Sequence, residues 1–538
     1  MNAAATVDIP AQSLPAGGSR RRINPWIIAG VVSLAAFMEV LDTSIANVAL
    51  PYIAGGLAAS VDDASWVLTS YLVANAIVLP ISGWLSVRFG RKRYYLISVV
   101  LFTASSFLCG LAPSLGTLVV FRILQGAGGG GLQPVSQAIL KDEFPPDRLG
   151  VAFALYGMVV VLAPAIGPTL GGWITDNYQW RWIFYMNVPV GILSLGLISR
   201  LVEDPAYLRR GMEQARRYLS IDYLGIALLA LCLGSLQVVL DKGQEDDWFH
   251  SPLIAVLAVI FPFALAAFIV RELTRAKPVM DLRMFRNRNF AASAAMIFVF
   301  GLEIYSITVF TPQYGQAFLG YDAELAGMTQ APGALLLIVL MPIVGMLVRR
   351  VEARWLIAAG FVLSAFALFQ MTNVDLQIDF RTAADFRVWA SFGIALLFIP
   401  INTASYAGVP EEKGGEVSGT INLLRNIGGS VGISMLETML ARRSQFHQYT
   451  LVAHVTRTHP AFRSFIAGAS GHLFHRGLTH PHAVHQAYLR MYDAVIAQAT
   501  ILSYMDVAWV IGVICIVMAP MALLLRPNDP KAVHVSVE

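Results

Sequence analysis

The chain has 538 residues, of which 56% are hydrophobic and only 13% charged, with a net charge of +4. A soluble globular chain carries about 25% charged residues, so this composition excludes a soluble multidomain protein. Its positive excess sits in short loops without interleaved aromatics, which excludes a nucleic-acid footprint, and Cys109, Cys232 and Cys515 lie singly in apolar runs, which excludes a disulfide framework or thiolate metal site.

Apolar residues fall into runs long enough to cross roughly 30 Å of hydrocarbon. The N-terminal residues lead to Arg20, Arg21 and Arg22 and then to an apolar run longer than a signal-peptide core. That pattern predicts an uncleaved first span. Spans are predicted at 26–49, 66–87, 94–112, 115–138, 150–174, 182–202, 223–240, 252–270, 290–310, 326–348, 355–373, 388–409, 419–440 and 504–525. An even number of spans leaves both termini on one side.

The positive-inside rule sets which side. With both termini cytoplasmic, the cytoplasmic segments hold 26 of the 38 Lys and Arg residues, while the short periplasmic loops hold Arg181, Lys242, Arg381 and Arg387. The domains follow. Residues 1–25 are a cytoplasmic tail, 26–202 a six-helix bundle, and 203–289 a cytoplasmic linker with two extra spans. Residues 290–525 are a second six-helix bundle that includes a periplasmic loop at 441–503, and 526–538 a second cytoplasmic tail. Glu39 and Glu303 lie at similar depths in spans 1 and 9, an echo of the duplication found in transporters that rock two halves about a midplane site.

Gly126 through Gly131 fit the G-x-G-x-x-G pattern, but inside a membrane span, where small residues let helices approach. The dinucleotide fingerprint needs a strand before it. No P-loop sequence occurs, so nucleotide hydrolysis by this chain is not expected.

Charges inside spans each cost about 2.5–3.5 kcal/mol or more near the bilayer centre. They are Glu39, Asp42, Arg122, Glu303, Arg425 and Glu437. A structural ion pair or a boundary position also accounts for each, most readily for Arg425 and Glu437. At 1.5 Å per residue, Asp42 lies about 24 Å above the inner end of span 1, and Arg122 about 10 Å below the outer end of span 4. In a core of roughly 30 Å those depths nearly coincide. Span 5 carries Pro164, Gly167, Pro168, Gly171 and Gly172, a density of prolines and glycines that predicts a kinked, closely packed helix.

These segments carry a family resemblance. Phe37 to Pro51 around Asp42, Arg122 to Gly126, Gly167 to Gly172, and Trp180 to Gly191 resemble the fourteen-span drug:proton antiporters of the major facilitator superfamily, EmrB/QacA type, and more closely its EmrB branch. The likeness covers about residues 26 to 525. Gly83, Arg88, Gly90 and Arg91 resemble the superfamily's loop motif after span 2, but Val87 stands where most members have aspartate.

The resemblance implies an all-α integral membrane protein of the major facilitator fold. It implies fourteen transmembrane helices, as two six-helix bundles plus two extra helices, in the bacterial inner membrane. It implies no cofactor beyond the proton gradient, export of amphipathic small molecules, and a periplasmic adaptor protein and an outer-membrane channel as partners. Asp42 with Arg122 is expected to carry the proton, with Glu39 and Glu303 as alternates. A narrow-substrate exporter of a fatty acid, siderophore or metabolite has the same sequence pattern. A lipid-acting membrane enzyme needs a catalytic cluster at one interface, and none is evident outside the loop carrying His472, His475, His480, His482 and His485. Those histidines match no zinc spacing, and a solvated loop accounts for them.

Overall fold

The computed structural model describes residues 24–205, 222–275, 278–321, 323–373, 378–410, 413–456 and 458–526, and every regular element among them is helical. Nearly all of the N-terminal tail, most of the linker at 203–222 and nearly all of the C-terminal tail lie outside the described residues. The principal helices are α1 Pro25–Val48, α2 Trp66–Phe89, α3 Arg91–Leu111, α4 Leu115–Gly129, α5 Pro146–Asn177, α6 Asn187–Leu201, α7 Tyr223–Lys242, α8 Pro252–Thr274, α9 Arg288–Phe318, α10 Ala331–Leu347, α11 Ala353–Gln370, α12 Phe380–Ser405, α13 Gly414–His454 and α14 His480–Met518.

Local chemistry fixes several starts. Asn24 accepts from the Trp26 N–H and is followed by Pro25, which suits the first helical turn. Ser114 and Thr117 form a reciprocal capping box on α4. Asp222 caps α7 through the Gly225 N–H and also holds Arg271 and Arg275 from α8, tying the two extra helices together. Burial alone would raise the Asp222 carboxyl. The Arg271 and Gly225 hydrogen bonds and the charges of Arg271 and Arg275 outweigh burial and hold its pKa below the usual carboxylate value. The stabilisation is therefore present above the unfolded-state pKa and fades as pH falls through the folded one. Asp222→Ala is expected to cost about 1–2 kcal/mol through the lost cap, read as a lower melting temperature in detergent.

Twelve of the described helices are long and apolar enough to cross a membrane, and α5 adds a thirteenth as a pair bent by 41°. The remaining predicted span, α13, falls short of that apolarity because it carries Asn422, Arg425, Asn426 and Glu437 among its glycines. It still sits inside the protein, packed against α9, α2 and α14. At the other extreme α8 is the most apolar span, and only 17% of its core window is buried. Its exposed Val256, Val259, Phe263 and Val270 form a surface suited to lipid.

The helices form two six-helix bundles plus two extra helices. In the first, α1 packs on α5 and α6, and α4 on α2 and α3. In the second, α9 packs on α13 and α12, and α11 on α12 and α14. The bundles meet along α5 with α10 and α2 with α13, and α7 rests on α2 and α13. Glycines set the closest approaches. A Cβ on Gly126 would lie 2.3 Å from the Tyr71 carbonyl oxygen, and one on Gly128 would lie 2.6 Å from the Phe102 nitrogen. The glycine run of span 4 is thus a packing face that lets α4 press between α2 and α3.

Two predicted elements differ in detail. Span 4 is two helices, because the chain breaks after Gly129 and restarts at Leu132–Glu143. The predicted loop at 441–503 is largely helix. α13 and α14 run on well past the predicted spans, with a helix at Pro460–His475 between them. Arg443 and His447 on α13 both bond Asp506 on α14, at 2.6 and 2.7 Å.

Candidate proton and substrate site

Asp42 on α1 is 2% exposed, and Arg122 on α4 is fully buried. Arg122 Nη1 donates to Asp42 Oδ2 at 2.5 Å. Gln125 Nε2 and Asn187 Nδ2 donate to Asp42 Oδ1 at 2.9 and 2.7 Å. The carboxylate is therefore held by three donors from two helices. Arg122 is fixed in turn. Its Nε donates to the Val67 carbonyl at 3.0 Å, Nη1 also reaches Gln125 Oε1 at 2.8 Å, and the guanidinium lies 4.2 Å from the Tyr71 ring centroid. A charge inside a membrane protein persists when it is paired and its remaining bonds are met. Arg122 Nη2 alone lacks a bond.

Glu39, one helical turn from Asp42, heads a second network. Asn75 Nδ2 and Tyr71 Oη donate to its Oε1 at 3.0 and 3.4 Å, and Gln133 Nε2 donates to its Oε2 at 2.5 Å. The Gln133 side-chain oxygen accepts from Arg425 Nη2, which reaches across from α13 in the opposite bundle. Tyr71 touches both networks, its ring beneath Arg122 and its hydroxyl on Glu39. Glu39 thus reaches the other half of the molecule through one glutamine, whereas the direct partners of Asp42 all lie in the first bundle.

Between the bundles lies a small central cavity. Val40, Val161 and Pro164 wall one side, and Phe300, Tyr305 and Arg425 the other. Pro164 and Pro168 both lie inside α5. Gly167 and Gly171 press on α1, where added Cβ atoms would meet Ser44 Oγ at 2.3 Å and Ile45 Cγ2 at 3.2 Å. The span-5 motif therefore packs directly on the residues that follow Asp42.

The other predicted charges lie apart. Glu303 on α9 is fully buried in the second bundle, near Cys515 rather than Asp42. Glu437 accepts from Gln313 Nε2 at 3.1 Å. In the loop motif, Gly90 has φ 89°, a left-handed conformation that favours glycine, and the buried Arg91 bonds Asp142 and the Ala138 carbonyl. Gly83 abuts Gly415 of α13, and Val87 leaves no carboxylate at that crossing.

Sequence reasoning missed Gln125, Asn187, Tyr71 and Gln133, because neutral polar residues interrupt an apolar run only weakly. The signal that could have found Gln125 is its i, i+3 spacing from Arg122. It also misplaced Arg387. That residue belongs to no loop: it is 1% exposed within α12.

Two packed helical bundles around a central cavity, with a buried carboxylate–guanidinium pair inside one of them, have the architecture of secondary membrane transporters. The chain belongs to the Major Facilitator Superfamily, whose family description matches residues 32–433. It is 39% identical to the multidrug export protein EmrB of Haemophilus influenzae, over 81% of this chain and 84% of that protein. It is 35% identical to the fatty acid resistance protein FarB of Neisseria gonorrhoeae, over 93% and 96%. The proton:xylose symporter XylE shares the fold, with a TM-score of 0.57 at 15% identity over 94% of this chain and 97% of that one.

Glu39→Gln should keep substantial export, since an amide can still accept from Asn75 and replace part of the Gln133 contact. Its expected effect is a changed substrate profile. Export assays over several unrelated compounds check this, and complete loss for every compound would make Glu39 the principal proton group instead.

Proposed function

We propose that this chain is a proton-driven multidrug efflux antiporter of the bacterial inner membrane, exporting amphipathic small molecules. The observation that carries it is the Asp42–Arg122 pair, a titratable group with a fixed counter-charge on α1, the helix whose Val40 walls the central cavity. The family membership and the printed name of the EmrB relative support the export direction and the substrate class. Protons enter through Asp42. When the site is hydrated and Arg122 is bonded, the carboxylate is favoured and the proton leaves. When the site is drier and Arg122 is withdrawn, the neutral acid is favoured. Apolar and aromatic walls suit substrates that differ in shape. Purified protein in proteoliposomes with an imposed pH gradient, tested on a panel of unrelated amphipathic compounds, provides the test. Compound-dependent proton flux is expected, and its absence for every compound would reject the proposal.

The name of the FarB relative favours a second possibility, a narrow exporter of fatty acids. Flux confined to fatty acids in the same panel would select it.

Both termini are cytoplasmic in this proposal, and residues 441–503 are periplasmic. There the extended α13 and α14, with exposed Phe446, Tyr449 and Tyr492, offer a surface to a periplasmic adaptor protein that leads to an outer-membrane channel. Cysteine labelling of intact cells should modify Tyr449→Cys, which is 82% exposed, and spare a cysteine placed at the C-terminus. The opposite pattern would invert the topology.

A further inference from the structure

The second bundle contains a buried acid and a buried base that the Asp42 network does not use. Glu303 on α9 is 0% exposed, and its Oε1 has no hydrogen-bond partner. Its Oε2 lies 3.8 Å from the Cys515 thiol of α14, a weak donor. Arg387 on α12 is 1% exposed, and its Nε and Nη1 have no partners. The two side chains interact electrostatically across the bundle without a direct bond. The buried Ser364 hydroxyl of α11 faces the same carboxyl as a neutral donor, without a well-formed bond.

The placement repeats that of the first bundle. Arg122 is seven residues past Leu115, the start of α4, and Arg387 is seven past Phe380, the start of α12. Each therefore lies about 10 Å below its helix start at 1.5 Å per residue. Glu303 lies on α9, the first helix of its bundle, at a depth closer to that of Glu39 than of Asp42 on α1. One feature differs: Asp42 and Arg122 are bonded, and Glu303 and Arg387 are not.

An ionised carboxylate buried without a partner is strongly disfavoured, so the neutral acid is the form that suits Glu303 here. A guanidinium keeps its charge, and its two unbonded nitrogens are costly where they stand. Both deficits are removed together if Glu303 gives up its proton and its carboxylate bonds Arg387. Glycines bring the neighbouring helices close to both side chains. A Cβ on Gly333 of α10 would lie 2.5 Å from Arg387 Cγ, and one on Gly393 would lie 2.1 Å from Ser364 Oγ.

We propose that Glu303 is a second proton-carrying site, separate from Asp42, and that Arg387 is the counter-charge that receives its carboxylate when the proton leaves. The first bundle holds its site bonded while the second holds its site open, so the two sites stand at opposite stages in this conformation. The transporter then moves more than one proton per cycle. This rests on proton-coupled export as proposed above.

The test measures substrate and proton flux together in proteoliposomes containing the full-length protein, for wild type, Asp42→Asn, Glu303→Gln, Glu303→Asp and Arg387→Met. Absence of coupled flux in wild type would sink proton coupling as a whole, not the second site alone. Given coupled flux, Glu303→Gln is expected to lower the proton-to-substrate ratio by about one proton while substrate still moves, and Glu303→Asp to restore the ratio. Arg387→Met should weaken the pH dependence of coupling without removing substrate binding. An unchanged ratio in Glu303→Gln would overturn the proposal. Infrared difference spectra cover the case in which Glu303→Gln does not fold. The wild type should show a protonated carboxyl band that responds to substrate and shifts in Glu303→Asp. A substrate-independent band, or one unmoved by Glu303→Asp, would also overturn it.

Discussion

Asp42→Asn is expected to reach the membrane at normal levels and to lose most of its proton-coupled export, because the Asp42 proton drops out of the coupling. Asparagine nearly matches aspartate in shape. It can still accept from Gln125 or Asn187, so the local packing of α1, α4 and α6 should persist. What disappears is the exchangeable proton and the charge opposite Arg122. An unpaired buried guanidinium is destabilising, but Arg122 keeps the Val67 carbonyl, the Gln125 oxygen and the Tyr71 ring. Each charge moved across the membrane contributes about 2.3 kcal/mol per 100 mV. Losing one proton from the coupling of a neutral substrate therefore lowers the attainable gradient by about 50-fold per 100 mV. Arg122→Ala should also fail, with the loss in coupling greater than the loss in substrate affinity, because Arg122 bonds the proton group and does not line the cavity. The decisive measurement is substrate-induced proton flux in vesicles. Normal flux in Asp42→Asn would make Asp42 structural and leave Glu39 or Glu303 to carry the proton.

The positions of these groups were unevenly legible in the sequence. Asp42 and Arg122 stand out because each is a charge within an apolar run, and counting residues from the span ends places them at one depth. The structure then closes the gap to 2.5 Å. Glu303 stands out for the same reason, but Arg387 does not. Arg381, Asp385 and Arg387 lie so close together that they mimic a loop, and they delay the predicted start of span 12 to residue 388, although α12 begins at Phe380. The first turns of α12 instead face protein: Ala383, Ala384 and Arg387 are buried while Arg381 is exposed. Hydropathy averages over a helix's circumference and cannot register a polar residue turned inward. The same limit lowers the apparent apolarity of α13, predicted as a span at 419–440, because its glycines and polar residues serve packing and the central cavity rather than lipid. Neutral partners such as Asn187 and Gln133 are found only once the helices are assembled.

Gly83→Leu is expected to leave the helices inserted and to trap the transporter away from the conformation described here. An added Cβ at Gly83 would lie 2.6 Å from the Gly415 carbonyl oxygen, 2.8 Å from its carbon and 2.9 Å from the Glu416 nitrogen. All three are backbone atoms, so no rotamer change on α13 relieves the overlap. The α2–α13 contact must open. A second crossing of the two bundles, between Gly150 of α5 and Gly345 of α10, is looser, with the added Cβ 3.0 Å from the carbonyl oxygen. It could persist while the first gives way. Overpacking of this sort typically costs about 1–3 kcal/mol. Because the clash exists only where α2 meets α13, that energy falls on one conformation, and it shifts the equilibrium by about 5- to 150-fold. The wild-type chain has no aspartate at position 87 to reinforce this crossing, so close backbone packing carries more of the contact here. Spin labels on the adjoining ends of α2 and α13 should report a longer distance in Gly83→Leu, and export should fall in proportion to the lost conformation. An unchanged distance together with normal export would mean that the crossing is incidental to the cycle. An unchanged distance with lost export would place the effect of Gly83 elsewhere than in closure.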